Sequence, residues 1–113
     1  MNYQINFIPE ALADIKKLDH SIHPQIMKGI QKVSHNPVSI YQGGYGKPLG
    51  NKDGINLTGL FKIKFRGIGI RVVYSVEEKD DVMTIIIVYF TSSVALNPLL
   101  SELENRNYCL TVC

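Results

Sequence analysis

The sequence contains few of the residues that cross-link small proteins or bind metals. Its two cysteines, Cys109 and Cys113, both lie in the last few residues, so they cannot form a disulfide framework for the fold. The three histidines, His20, His23 and His35, lack zinc-finger spacing and are remote from the cysteines. We therefore expect reduced thiols, no metal site and no cofactor.

Long apolar runs are absent as well. The longest, residues 85–90, is far too short to cross a bilayer, and residues 1–7 contain neither a basic region nor an apolar run of signal-peptide length. We expect a cytoplasmic protein that makes no membrane contact. The 113 residues, 45% of them hydrophobic and 19% charged, are typical of one globular domain. We assign this domain to residues 1–106 and a flexible tail to residues 107–113.

A nucleotide-hydrolase phosphate loop is also missing. Gly46 and Lys47 are followed by Pro48 rather than by Ser or Thr. Residues 38–59 are instead rich in glycine, and we expect a long loop that either wraps a ligand or closes over the rest of the domain.

Charge is distributed unevenly along the chain. Residues 47–74 contain six basic residues and one acidic residue, a local charge of +5, whereas residues 75–113 contain two basic and six acidic residues, a local charge of −4. A polyanionic partner, either a nucleic acid or an acidic protein, should therefore contact the middle of the chain in a salt-dependent way.

The most informative pattern is a basic hairpin at residues 60–74. Strict alternation divides its first strand into an apolar face and a cationic face: Phe61, Ile63 and Phe65 against Lys62, Lys64 and Arg66. If the turn at residues 67–69 pairs Phe65 with Ile70, Lys64 lies opposite Arg71. Like charges in that position destabilise a hairpin, which favours an anionic partner such as a phosphate backbone. The alternative is that these cations are the solvated side of a half-buried sheet.

The pattern of the other segments predicts an α+β fold of order β-α-α-β-β-β. Residues 3–7 alternate as a first strand, Pro9 opens a helix with a buried stripe of Leu12, Ile15 and Leu18, and a second amphipathic helix ends before Asn36-Pro37. A mostly antiparallel sheet follows, with strands at about 60–66, 69–77 and 83–90. The last of these strands is apolar on both faces, which is typical of a central strand. Asn97-Pro98 predicts the start of a short C-terminal helix.

The ordered set of motifs resembles the RelE/ParE family of toxins from bacterial type II toxin–antitoxin modules. The pieces that carry this resemblance are Tyr3-Gln4-Ile5-Asn6-Phe7, residues 11–18, Gly46-Lys47-Pro48-Leu49, Leu57-Thr58-Gly59-Leu60-Phe61-Lys62-Ile63-Lys64 and Arg71-Val72-Val73-Tyr74. They lie within residues 3–90. The resemblance implies a small domain in which the sheet packs against two helices and presents a basic surface.

In the RelE branch, that surface cleaves messenger RNA on the ribosome, without a metal, by attack of the ribose 2′-hydroxyl on the adjacent phosphate. The resemblance makes Lys64 the candidate base, with Lys62 and Arg71 holding the phosphate. Crowding by Lys62 and Arg71 would favour the neutral amine that a base requires. The remaining cations of the basic segment, Lys47, Lys52 and Arg66, are the candidates for nucleic-acid binding.

One part of the RelE pattern is missing from the sequence. RelE-type nucleases usually carry a basic residue after the last strand and a tyrosine soon after it, which supply the leaving-group acid and a base-stacking surface. Residues 91–97 contain no Lys, Arg, His or Tyr. Three explanations remain open. Another residue, Arg66, Tyr89 or Lys47, supplies the acid; activity is weak; or the protein is a ParE-like toxin that poisons DNA gyrase, or a catalytically degenerate one that acts only by binding protein.

The expected partners follow from the same resemblance. They are messenger RNA, the ribosome and a cognate antitoxin that offers acidic side chains to Lys62, Lys64 and Arg71 and covers the helical hairpin. DNA would be bound only through the antitoxin. Besides a RelE-like and a ParE-like toxin, a third function remains open: a DNA-binding regulator, held in an antitoxin complex, that has no toxicity of its own.

Overall fold

The computed structural model describes residues 3–48, 51–52, 55–56 and 59–90; the side chains of residues 51–52, 55–56 and 90 lie outside that description. The helices are α1 (Pro9–Lys16) and α2 (His23–Ser34). The strands are β1 (Gln4–Phe7), β2 (Lys47–Pro48), β3 (Asn51–Lys52), β4 (Ile55–Asn56), β5 (Leu60–Phe65), β6 (Ile70–Glu77) and β7 (Val82–Phe90). The helix predicted from Asn97 and the tail at residues 107–113 lie outside the described residues.

The main sheet has five strands in the order β1-β7-β6-β5-β2. Only β1 runs parallel to its neighbour β7, and the other pairs are antiparallel. The strands β3 and β4 form a separate two-stranded ribbon. This arrangement confirms the α+β fold. The observed bounds of β5, β6 and β7 differ from the predicted ones by no more than one residue at any end.

Both helices cover one face of the sheet and form the core with it. Helix α2 contributes Ile26, Ile30 and Val33, and the sheet contributes Ile70, Val72, Tyr74, Met83, Ile85 and Val88. The predicted stripe of α1 was wrong at one position, because Leu12 is 44% exposed whereas Ala11 is fully buried. Positions 11, 15 and 18 follow the helical repeat more closely, so the small Ala11 takes the inward position.

Strand β7 lies between β1 and β6, as its apolar sequence predicts. Its pairing with β6 shifts by one residue between Val73 and Tyr74, which is a β-bulge. Beyond the last residue paired with β1, the Val88 amide donates to Asp14 Oδ2 of α1 at 3.1 Å. Asp14 of α1 thus accepts the hydrogen bond of a β7 amide that lies beyond the end of β1.

The glycine-rich segment after α2 is more ordered than the sequence predicts. Ser39 caps a single helical turn at Ile40–Gln42, and Gly43 ends this turn with a left-handed φ of 87°. The Tyr74 hydroxyl donates to the Pro37 carbonyl at 2.9 Å, which fixes the segment to the sheet. Within the described residues, no helix is long and apolar enough to cross a membrane.

Candidate nucleic-acid interface

The register of the basic hairpin places like charges directly opposite each other. Phe65 pairs with Ile70, and Lys64 therefore pairs with Arg71, as the alternation predicts. On the other side of β5, Lys62 pairs with Lys47 of β2. Paired residues share a sheet face and have Cβ atoms about 4.5–5.5 Å apart. Four cations thus lie on three adjoining strands.

The opposite face of β5 packs against the helices. Phe61, Ile63 and Phe65 contact the core cluster, and the Phe61 ring stacks on Tyr74 with centroids 5.5 Å apart and planes at 25°. This packing fixes the orientation of the strand, because a slip of one residue would bury the lysines and expose the aromatic rings. The cations are therefore held on a rigid element.

A tyrosine extends the row of cations onto β7. Because of the bulge between β6 and β7, Tyr89 is the residue opposite Arg71. Lys64, Arg71 and Tyr89 consequently form one row across three strands. This row combines two cations with a phenol that can donate a proton.

Arg71 has an unsatisfied donor in the middle of this row. The side chain is half-buried, and its Nε atom is buried with no hydrogen-bond partner in the described part of the chain. Leaving a buried donor unpaired costs about 1–3 kcal/mol, and more when the group is charged. An oxyanion reaching Nε would remove that cost.

A cavity of about 330 Å³ opens beside this row, at the turn end of the hairpin. Its lining includes Lys64, Arg66 and Arg71, together with Phe65, Gly69 and Ile70. Arg66 is exposed at the start of the turn. The structure therefore brings Arg66 together with two of the three residues that the sequence predicts to be catalytic.

A second cavity of about 260 Å³ adjoins the first and shares Lys64 and Phe65 with it. Helix α2 contributes Gly29, Lys32 and Val33, and the remaining lining comes from Tyr45, Lys47, Lys62 and Ile63. The two neighbouring cavities, both lined by β5, are together called the basic groove below. Its lining contains no acidic residue among those the structure describes.

Comparison with known proteins identifies the family. No family model matches the sequence. A curated Escherichia coli protein described as a RelE-like toxin is 33% identical over 88 residues, which cover 78% of this chain and 82% of that protein. This chain belongs to the RelE family of toxins.

Solved structures support the same assignment. The isolated E. coli RelE toxin is 25% identical with a TM-score of 0.64, over 94% of this chain and 99% of that one. The toxin of the intact E. coli RelBE toxin–antitoxin complex is 27% identical with a TM-score of 0.59, over 76% and 93%. The archaeal RelE–RelB complex from Pyrococcus horikoshii is 17% identical with a TM-score of 0.60, over 83% and 100%, and shows the fold alone.

Two groove residues of this RelE-family protein were missed by sequence reasoning. Lys32 is an ordinary exposed position of α2, and Tyr45 lies in the glycine-rich segment. Neither belongs to a motif, since only tertiary packing brings them to β5. The one local signal that could have identified Tyr45 is an aromatic residue flanked by glycines and two residues before Lys47.

Other residues considered from the sequence lie away from the groove or outside the description. Lys52 pairs with Ile55 in the β3–β4 ribbon, and its side chain is not described. His35 is exposed at the C-terminal cap of α2. Tyr74 is fully buried in the core, and burial raises the pKa of its phenol well above 10.0. Among the described residues, no three His, Cys, Asp or Glu side chains cluster to hold a metal ion.

Proposed function

We propose that this RelE-family toxin cleaves messenger RNA on the ribosome through attack of a ribose 2′-hydroxyl on the adjacent phosphate. The observation that carries the proposal is the opposition of Lys64 and Arg71, with the Arg71 Nε donor buried and unpaired. A phosphate at this position would supply an anionic partner for the Arg71 guanidinium group. The charge of that group would also stabilise a developing phosphorane.

The reaction forms a bond between the 2′-oxygen and phosphorus and breaks the bond between phosphorus and the 5′-oxygen. The products are a 2′,3′-cyclic phosphate and a 5′-hydroxyl. Arg71 and Lys62 bind the non-bridging phosphate oxygens and stabilise their growing charge. Lys64, in its neutral form, accepts the proton of the 2′-hydroxyl.

The leaving 5′-oxygen also needs a proton, and Tyr89 is our candidate for the donor. Residues 91–97 offer no basic side chain or tyrosine. Tyr89 is half-buried and lies opposite Arg71 on the face that carries Lys64. Arg66 and Lys47 were the other candidates, but Arg66 is exposed in the turn, and Lys47 belongs to the neighbouring row with Lys62. The row formed by Lys64, Arg71 and Tyr89 therefore has a base on one side of the phosphate binder and an acid on the other.

The partner that silences the toxin is an antitoxin, by analogy with the RelBE complex described above. The basic groove favours an acidic segment, because its described lining is cationic and contains no acidic residue. Such a segment would cover Lys62, Lys64 and Arg71 and so block access of RNA.

The test is to express the protein without an antitoxin and to follow growth and the integrity of translated messages. The wild type should arrest growth and cut messages on ribosomes. The double variant Lys64→Ala, Arg71→Ala should abolish both effects while keeping the circular dichroism spectrum and unfolding midpoint of a folded domain.

A matched control removes the same amount of charge elsewhere. Lys16 and Lys79 are exposed and lie outside the lining of the basic groove. The double variant Lys16→Ala, Lys79→Ala should cleave like the wild type. Intact messages together with accumulated gyrase–DNA breaks would overturn the proposal in favour of a ParE-like activity, and so would equal loss of cleavage in both double variants.

A further inference from the structure

An aromatic side chain projects at the end of the basic groove opposite the hairpin turn. Tyr45 is 50% exposed although it lines the second cavity together with Lys47 and Lys62. Burying an aromatic ring is favourable, so a large exposed ring beside a cavity has an unused contact surface. None of the chemistry assigned to the row of Lys64, Arg71 and Tyr89 uses this ring.

The backbone on both sides of Tyr45 is held firmly. Its amide donates to the Asn36 carbonyl at 2.9 Å, and the next amide, of Gly46, donates to the Val38 carbonyl at 2.9 Å. Gly46 also accepts from the Ile40 amide at 2.8 Å. The backbone that carries the ring is therefore ordered before a ligand binds, so stacking on the ring would not include the cost of ordering the loop.

One cation lies near the ring, and other cations line the same cavity. The Lys32 ammonium lies 5.7 Å from the ring centroid, close to the outer limit of about 6 Å for a cation–π contact. Lys47, two residues after Tyr45, pairs with Lys62 on β5. An aromatic ring next to a track of positive charge is the combination with which proteins bind single-stranded nucleic acid: the ring stacks on a base and the cations hold the backbone.

The size of the second cavity limits what it can accept. Its 260 Å³ lies just below the lower end of small-molecule sites, about 300 Å³. It suits one planar base rather than a larger ligand. The first cavity shares Lys64 and Phe65 with it, so the two cavities are close enough for neighbouring nucleotides of one RNA strand.

We propose that Tyr45 is a base-stacking residue that binds a nucleotide flanking the scissile phosphate of single-stranded RNA, with Lys32 and Lys47 at the adjoining phosphates. This inference rests on the proposed function, because it extends the same RNA-binding groove. It gives the protein the stacking surface that residues 91–97, which contain no tyrosine, do not supply. The RNA runs from the hairpin turn along β5 towards α2.

The chain contains no tryptophan, so one introduced indole reports a single location. The test compares Tyr45→Trp with Tyr41→Trp, since Tyr41 lies on the same loop, is 86% exposed and does not line the groove. The probe is a short 2′-O-methyl oligoribonucleotide, which cannot be cleaved by 2′-hydroxyl attack. An abasic oligomer of the same length supplies the same phosphate charge without bases.

We expect the oligoribonucleotide to quench the fluorescence of Tyr45→Trp, the abasic oligomer to leave it unchanged, and Tyr41→Trp to respond to neither. Tyr45→Ala should weaken binding of the oligoribonucleotide roughly 5- to 150-fold, the range for loss of one base–aromatic stack. Tyr45→Phe should restore it, since stacking needs the ring and not the hydroxyl.

Equal quenching at the two positions, equal quenching by the two oligomers, or unchanged affinity in Tyr45→Ala would each overturn the proposal. Its failure is distinguishable from failure of the proposed function. Base-dependent quenching without cleavage of ribosome-bound messages would support the stacking site and contradict the nuclease activity. Cleavage that needs Lys64 and Arg71 but not Tyr45 would support the nuclease activity and contradict the stacking site.

Discussion

Lys64 and Arg71 occupy directly opposing positions on two neighbouring strands of the sheet. Like charges in this geometry repel each other, so the pairing of these two side chains contributes no cross-strand attraction. Under the proposed function, Arg71 binds a phosphate at this position and Lys64 accepts the proton of the 2′-hydroxyl. The proposed function assigns this pair to binding and catalysis rather than to stabilising the fold.

Replacing Arg71 should consequently separate stability from activity. In Arg71→Met the aliphatic part of the side chain remains, the repulsion from Lys64 disappears and the unpaired Nε donor is removed. We expect the free energy of unfolding in urea to stay the same or to rise by up to about 1 kcal/mol, while cleavage is lost. A fall of more than about 1 kcal/mol would mean that the guanidinium group is neutralised within the fold.

Tyr89→Phe tests the leaving-group acid. Loss of general acid catalysis should slow cleavage by about 10²- to 10⁴-fold. A message with sulfur in place of the bridging 5′-oxygen has a leaving group that needs no proton, so this substrate should restore the rate of Tyr89→Phe. It should not restore Arg71→Ala, in which phosphate binding is lost. Equal slowing of Tyr89→Phe on the oxygen and sulfur substrates would exclude Tyr89 as the acid.

The sequence predicts the hairpin well because the residues that determine its pairing are close together in the chain. Alternation and a short turn fix the pairing of Phe65 with Ile70, and every other pair of β5 with β6 follows from it. The position of Tyr89 could not be predicted in the same way. If the regular pairing of Ser75 with Thr84 continued along both strands, Arg71 would lie opposite Val88. The bulge shifts the pairing by one residue, so Tyr89 lies opposite Arg71 instead.

The other end of the groove depends on packing between distant segments. Gly29 of α2 lies so close to the Phe65 ring that a Cβ atom would be 2.5 Å from its Cζ atom, and this close approach brings Lys32 towards β5. No periodicity within α2 encodes such a contact. Similarly, hydrophobicity alone favours Leu12 over Ala11, although the crowded inward position takes the smaller residue.

Tyr74→Phe should lower stability by removing the bond that fixes the segment after α2. The phenol donates to the Pro37 carbonyl, and Pro37 is itself buried. An acceptor left unpaired there costs about 1–3 kcal/mol. Chemical denaturation at neutral pH measures this difference directly, and a difference below about 0.5 kcal/mol would show that the bond contributes little.

The same pair of proteins should differ in their response to alkaline pH. Burial raises the pKa of Tyr74 above its ordinary value of 10.0, so above that pH the unfolded chain loses a proton that the folded protein keeps. The wild type should therefore lose stability as pH rises past 10.0, by up to about 1.4 kcal/mol per pH unit. Tyr74→Phe lacks this contribution, so the stability gap between the two proteins should narrow. A gap that stays constant would contradict the burial of a neutral phenol.

Gly46→Ala tests the loop that carries Tyr45. A Cβ atom at Gly46 would lie 2.5 Å from the Pro37 carbonyl oxygen and 2.7 Å from the Tyr74 hydroxyl. We expect a loss of about 1–3 kcal/mol in unfolding free energy, because the crowding is against fixed polar atoms. Gly67→Ala is the control, since a Cβ atom there meets nothing within 4 Å. Similar stabilities of the two variants would show that the segment is not held as described.

The chemistry of the RNA ends tests the central claim most directly. Messages cut on ribosomes by the wild-type protein should carry a 2′,3′-cyclic phosphate upstream and a 5′-hydroxyl downstream of the cut. Cutting should disappear at any position whose upstream ribose is replaced by its 2′-deoxy form, and at every position in the Lys64→Ala, Arg71→Ala variant. A 5′-phosphate end, or unimpaired cutting next to a 2′-deoxy ribose, would contradict 2′-hydroxyl attack at the basic groove.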